Sequence, residues 1–309
     1  MSRRSLPARH CLIPLPDKMG ARSDASIEAL IAGEKLPASY HVLVDRAWRP
    51  LALQIADWRR DAGRAIIVGV NGGQGSGKTT LCMFLEQALL PEVGWRAVTV
   101  SLDDFYLPKA DRIALGEKIH PLLATRGVPG THDVPAMMRA LATLSSGEEA
   151  RLPFFDKAVD DCAPPDAWWE VEGGADVILF EGWCVGAVAQ NAKELAAPIN
   201  TLERDEDENG VWRQYVNDRL GADYGALFAL IDHLVMLRAP NMDSIIANRR
   251  EQERKLREAR PDGASVMSDA EVSRFVQHYE RLTRHMLAEM PDRAEAVFDL
   301  EVLRALQGA

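Results

Sequence analysis

The sequence predicts an α/β fold, a doubly wound and mainly parallel sheet with helices on both faces. Three observations carry that prediction. Short, unbroken apolar runs recur along the chain, helical patterns lie between them, and the first run opens directly into a glycine-rich turn followed by a helix. The 309 residues suffice for one large α/β domain with a well-buried core, and at 47% hydrophobic and 27% charged residues the composition is ordinary for a globular protein.

Residues 1–24 read as a loose N-terminal arm. Arg3, Arg4 and Arg9 stand there without an acid in the first 16 residues, yet Pro7, Pro14 and Pro16 break any amphipathic helix and no secretory apolar stretch is present. Over about 25–60, Ile27, Leu30 and Ile31, then Leu51, Ile55 and Trp58, recur at three- and four-residue spacing, which predicts a helical extension with a proline-containing break. The run AIIVGV at 65–70 predicts a strand buried on both faces, and comparable stretches follow at 97–102, 177–180, 234–237 and 296–300. The helix over 269–289 is the clearest: Ser268 and Glu271 form a capping box, and Val272, Phe275, Tyr279, Leu282 and Met286 trace a core-facing stripe. The acidic segment TLERDEDENG at 201–210 reads as a solvated loop. Neither repeats nor low-complexity linkers appear, so residues 25–309 are expected to form one domain.

Charge and cysteines narrow the function classes. Thirty-six Lys and Arg against 46 Asp and Glu leave a formal charge of −10, which disfavours nucleic acid and anionic membranes as partners. An anionic small-molecule substrate must then be met by locally gathered Lys, Arg and backbone N–H groups. Cys11, Cys82, Cys162 and Cys184 lack zinc-knuckle or disulfide-framework spacing, and no apolar run reaches the length of a membrane span. A reducing, cytoplasmic setting is expected; oligomeric state is left open.

The first strand runs into Asn71, Gly72, Gly73, Gln74, Gly75, Ser76, Gly77, Lys78, Thr79 and Thr80. From Gly72 to Thr79 this is G-x-x-x-x-G-K-T, and the following helix carries Leu81, Phe84, Leu85 and Leu89 on one side. Glycines let backbone N–H groups close around phosphates, Lys78 brings a cation to the β/γ-phosphates, and Thr79 offers a hydroxyl to Mg²⁺. Residues 72–80 are therefore the expected nucleotide site of a P-loop NTPase-type fold, with ATP and Mg²⁺ as cofactors.

Two more strands end in acids. The second ends in Asp103-Asp104-Phe105-Tyr106, and the third in Glu181-Gly182-Trp183. Ligands of doubly wound sheets bind outside the carboxyl ends of the strands, so these carboxylates face the phosphates. One can take a proton from an acceptor hydroxyl while another holds Mg²⁺. Turn-capping is the competing reading of Asp103 and Asp104, and a surface position that of Glu181. No NKxD guanine-reading motif and no full LSGGQ-like signature is present, which points to a kinase rather than a switch or transporter.

Together these features resemble the phosphoribulokinase, uridine kinase and pantothenate kinase superfamily. RGVPGTHD at 126–133 resembles the substrate segment of pantothenate kinases, with Thr131-His132 where an aromatic is usual. The longer strings SLDDFYL (101–107), HPLLATRGVPGTHDV (120–134), LPFFDKAVDD (152–161), FEGWCVGA (180–187), LERDEDENGVWRQYVN (202–217) and MSDAEV…FVQHYERLT (267–283) resemble the D-glycerate 3-kinase family. That resemblance implies transfer of the γ-phosphate of ATP to the 3-hydroxyl of D-glycerate. Asp103 would be the base, with Asp104 assisting and Lys78 on the phosphates. Thr79, Glu181 and Asp103 would attend the metal. Tyr106, Arg126, His132, Asp133 and Lys157 are the candidates for the acceptor side, with Arg126 able to grip a carboxylate bidentately. Another acceptor (a nucleoside, pantothenate or a different hydroxy acid) and a non-catalytic ATP-binding switch are the alternatives.

The basic stretch 248–260 leaves two readings. It is a solvated helix with pairs such as Glu251–Lys255 and Glu253–Arg257, or a lid over about 242–262 in which Arg249 or Arg250 reaches the transferring phosphoryl.

Overall fold

A computed structural model describes residues 22–259 and 267–307. Its core is a five-stranded sheet of β1 (Ile66–Gly72), β2 (Ala97–Ser101), β3 (Val177–Gly182), β4 (His233–Arg238) and β5 (Ala296–Asp299). The order across the sheet is β2-β3-β1-β4-β5, and every neighbouring pair is parallel. The chain leaves β1 towards one edge and β3 towards the other. Between these two strands lies the switch point at which such sheets bind ligands.

Alternation along the strands explains why both faces are covered. Ile66, Val68 and Val70 of β1 join Val177 and Leu179 of β3 in one apolar layer with Leu81, Phe84 and Trp48. Ile67, Ile178 and Phe180 point the other way, into a layer with Val100, Leu141 and Tyr224. The extension predicted over about 25–60 forms helices Arg22–Gly33 and Tyr40–Ala62, the second passing through a π turn at Val44–Trp48. Residues 1–21 of the expected arm lie outside the described residues. Two short ribbons embellish the sheet: Ala150–Leu152 with Trp169–Val171, and Phe155–Asp156 with Asp161–Cys162. Among the described residues no helix is long and apolar enough to cross a membrane.

One expectation is overturned. The acidic segment 201–210 contains a helix, Thr201–Glu206, and is not merely a solvated loop. Glu203 is wholly buried and receives both Nε and an Nη of Arg281, at 2.7 and 2.6 Å; Asp207 is likewise buried against Arg213 at 2.9 Å. Paired charges of this kind tolerate burial, whereas single ones do not.

Candidate active site

The phosphate loop follows β1 and closes at helix α1 (Lys78–Phe84). Gly75 (φ 70°) and Gly77 (φ 88°) adopt left-handed backbone that a side chain would strain. At Gly72 an added Cβ would lie 2.6 Å from Ser76 Oγ. Lys78 Nζ folds back over the loop and donates to Gly73 O at 3.4 Å. Leu81, Phe84, Leu85 and Leu89 are buried and hold the helix on the sheet.

Glu181 stands on β3 in register between Val70 of β1 and Ser101 of β2. It is 6% exposed, and its Oε1 accepts from Thr79 Oγ1 (3.3 Å) and Ser101 Oγ (3.1 Å). The carboxylate is thereby aimed at the first residues of α1.

Asp103 and Asp104 occupy a 3₁₀ turn, Leu102–Phe105, anchored by the buried Leu102 and Phe105. Asp103 accepts from Tyr106 OH at 2.9 Å and from Lys157 Nζ at 2.7 Å. Burial pushes Asp103 up, but the Lys157 ammonium, the two hydrogen bonds and the charge of Lys78 outweigh it and hold the carboxyl below its ordinary value. Asp104 accepts the Phe155 N–H at 3.3 Å. Burial, with the charges of Asp103 and Glu181, pushes it up to about 6 against the opposing pull of Phe155 N–H and Lys157.

The segment 126–133 lies beside this turn. Tyr106 and His132 pair as a β-bridge, and Leu107 N–H and Asp133 N–H donate to Thr131 O and Phe105 O. Trp183 Nε1 donates to Gly127 O at 2.8 Å and Tyr279 OH to Arg126 O at 3.2 Å, so the loop carrying Arg126 is fixed from two sides. Arg126 points its guanidinium over the Phe155 ring, 5.4 Å from the centroid, and pairs with the Asp160 carboxylate.

Two acceptor candidates are corrected. His132 is buried, hydrogen-bonded through Nδ1 to Tyr224 OH at 2.6 Å and stacked on Tyr106. Burial depresses it to about 3, so it stays neutral and cannot neutralise a carboxylate. Asp133 is spent as the N-cap of helix α2 (Val134–Ser146), accepting Ala136 N–H at 2.9 Å.

Helix α3 (Met242–Ala259) packs one face on the phosphate loop: a Cβ at Gly75 would come within 2.9 Å of Asn248 Cβ. Arg249 pairs with Glu253 and lies over Phe275, while Arg250 donates to Ser273 Oγ at 3.1 Å. Phe275 and Ser273 belong to α4 (Asp269–Glu289), whose capping box forms as the sequence predicts. Glu251 pairs with Arg254; the side chains of Lys255 and Arg257 lie outside the described residues.

Sequence reasoning missed Asn71, Ser101, Tyr279 and Asp160. Asn71, 2% exposed, donates to Trp183 O and Val185 O and so ties the first strand to the loop after the third. Polar residues at the ends of apolar runs, Asn71 and Ser101 alike, were the available signal. Tyr279 and Asp160 carried none.

A phosphate loop on the first strand and acids at the ends of the second and third mark a P-loop kinase, a phosphotransferase with an alcohol acceptor, and kinase relatives bear this out. No protein-family model matches the chain. It is 33% identical over 251 residues to the uncharacterized kinase mug58 of Schizosaccharomyces pombe, covering 78% of this chain and 87% of that one. It is 33% identical over 224 residues to the chloroplastic D-glycerate 3-kinase of Arabidopsis thaliana, covering 69% of this chain but only 46% of that enzyme. A solved D-glycerate 3-kinase from Cryptococcus neoformans superposes with a TM-score of 0.67 at 26% identity, over 82% of this chain and 94% of that one. The chain belongs to the same family of kinases as mug58 and is similar to D-glycerate 3-kinases.

Proposed function

We propose that the protein transfers the γ-phosphate of ATP to the 3-hydroxyl of D-glycerate, giving 3-phosphoglycerate. The observation that carries this reading is the meeting of Asp103 and Arg126, the proposed base and the proposed carboxylate-binding cation, around one aromatic cluster. Tyr106, whose hydroxyl holds Asp103, packs edge-on against Phe155 with ring centroids 5.1 Å apart, and Arg126 lies over the same Phe155. The named activity of two similar proteins, each a D-glycerate 3-kinase, supports a small hydroxy acid as the acceptor.

Lys78 and the loop N–H groups would cradle the phosphates. Thr79, Glu181 and Asp103 are the hard oxygen donors that Mg²⁺ takes, and the hydrogen bond between Thr79 and Glu181 shows that two of them converge. Among the described residues no three His, Cys, Asp or Glu side chains gather to cage a metal unaided. Mg²⁺ does not need such a cage when phosphate oxygens and waters complete its shell. When bound, it neutralises charge on the β- and γ-phosphates. Asp103 would accept the proton of the attacking hydroxyl once Lys157 has moved off it, and Arg126 would hold the carboxylate. Helix α3 would serve as the lid, with Asn248 and Gln252 against the loop and Arg249 turned to Glu253 and Phe275.

The test is ADP release from Mg-ATP in the presence of D-glycerate, uridine, pantothenate or no acceptor. Release that depends on glycerate supports the reading. Release with a nucleoside or pantothenate alone replaces the acceptor, and ADP formation that no acceptor raises above the background of ATP alone supports the non-catalytic switch.

A further inference from the structure

The turn between Phe155–Asp156 and Asp161–Cys162 spans four residues, and both of its ends reach into the acceptor site. Lys157 at its start bonds Asp103, and Asp160 at its end bonds Arg126. Asp160 takes φ 60°, one of two non-glycine residues among the described ones with left-handed backbone. Aspartate tolerates that region better than most side chains. Its position is held independently of Arg126: Arg112, 1% exposed, donates to Asp160 O at 2.7 Å and lies 3.1 Å from Asp160 Oδ1. Arg112 itself is fixed by Leu107 O and Ala124 O. The turn thus presents a carboxylate to the one arginine expected to receive the acceptor's carboxylate, and a cation to the expected base.

We propose that the 157–160 turn is an internal ligand of the acceptor site, with the Asp160 carboxylate seated on Arg126 where a hydroxy acid's carboxylate binds. Acceptor binding exchanges one carboxylate for another on Arg126 and leaves Asp160 to Arg112 alone. The device selects for anions: a neutral alcohol has nothing with which to displace Asp160. This inference rests on the reading above that Arg126 receives the acceptor's carboxylate.

Asp160→Asn keeps the shape, the left-handed backbone and an oxygen for Arg112, and loses the charge. Asp160→Gly removes the side chain at a φ that glycine adopts freely, and serves as the second variant. Arg126 is modified with phenylglyoxal, followed by peptide mass, while D-glycerate or lactate is titrated as protectant. A partly exposed ion pair is worth little, so in both variants half-protection is expected at a roughly two- to five-fold lower concentration than in the wild type. The KM for D-glycerate should fall by a similar factor while that for ATP stays put. Unchanged or weaker protection, or a higher glycerate KM, would overturn the proposal and make Asp160 a residue that positions Arg126. If the wild type turns over no glycerate, the acceptor assignment fails, and the protection titration still decides whether Asp160 competes with small carboxylates.

Discussion

Lys157 Nζ lies 2.7 Å from Asp103 Oδ2, so the residue proposed as the catalytic base is masked by an ammonium in this structure. The contact has a titration consequence. Asp103 is held below the ordinary carboxylate value despite burial, so it is ionised but weakly basic while Lys157 stays. Lys157→Met leaves the burial and removes the largest opposing influence, so the Asp103 pKa rises. The acidic limb of the pH profile of kcat/KM should therefore move to higher pH than in the wild type. An unmoved limb would remove Lys157 from the base's environment.

Asp103→Asn retains the size of the side chain and its contact with Tyr106 but not its basicity. General-base contributions are typically about 10²–10⁴-fold, and kcat should drop by that order with ATP affinity little changed. A kcat within a few-fold of the wild type would shift the role to Asp104 or dispense with a base.

Asp104 is a different case, because its folded value lies above its unfolded one. The unfolded side chain ionises near its ordinary value of 3.8 and the folded one at about 6. Stability is fully present below 3.8 and is lost as pH rises through about 6, since the folded state must then carry a buried charge. Asp104→Asn still accepts the Phe155 N–H and removes that cost. The metal-free protein should gain about 1–3 kcal/mol at pH 7.5, and the gain should shrink as the pH is lowered towards 4.5. Thermal melts of both proteins at the two pH values check this; a gain independent of pH would assign it to something other than ionisation.

Arg126→Lys keeps the charge and loses the bidentate fork. A charged hydrogen bond contributes about 1.5–3 kcal/mol, so kcat/KM for glycerate should fall roughly ten- to a hundred-fold. Feeble turnover of glycerol, which has no carboxylate, should be nearly indifferent. Equal losses for both alcohols would make Arg126 a structural residue.

What was legible in the sequence was what is local. The strand, loop and helix from Ile66 to Phe84 follow from an apolar run, glycine spacing and a helical stripe that all lie within twenty residues. Asp103 and Glu181 were legible for the same reason: each sits where a strand visibly stops. Long-range pairing was not. Glu203 reads as a solvated acid because its partner Arg281 lies 78 positions away, and only the packing of two helices brings them together. His132 reads as a polar loop residue until Tyr106 and Tyr224 bury it. Asp160 and Arg126, 34 positions apart, meet only because a two-residue ribbon folds its turn back over the second strand's end.

The central claim is settled most directly by phosphorus NMR of wild-type protein supplied with Mg-ATP and D-glycerate. The account expects ADP and a new phosphomonoester at the 3-position of glycerate, formed in equal amounts. A 2-phosphate would keep the kinase and the acceptor but contradict the assigned hydroxyl. Loss of ATP with only inorganic phosphate appearing, or no reaction in a folded protein, would contradict glycerate as the acceptor.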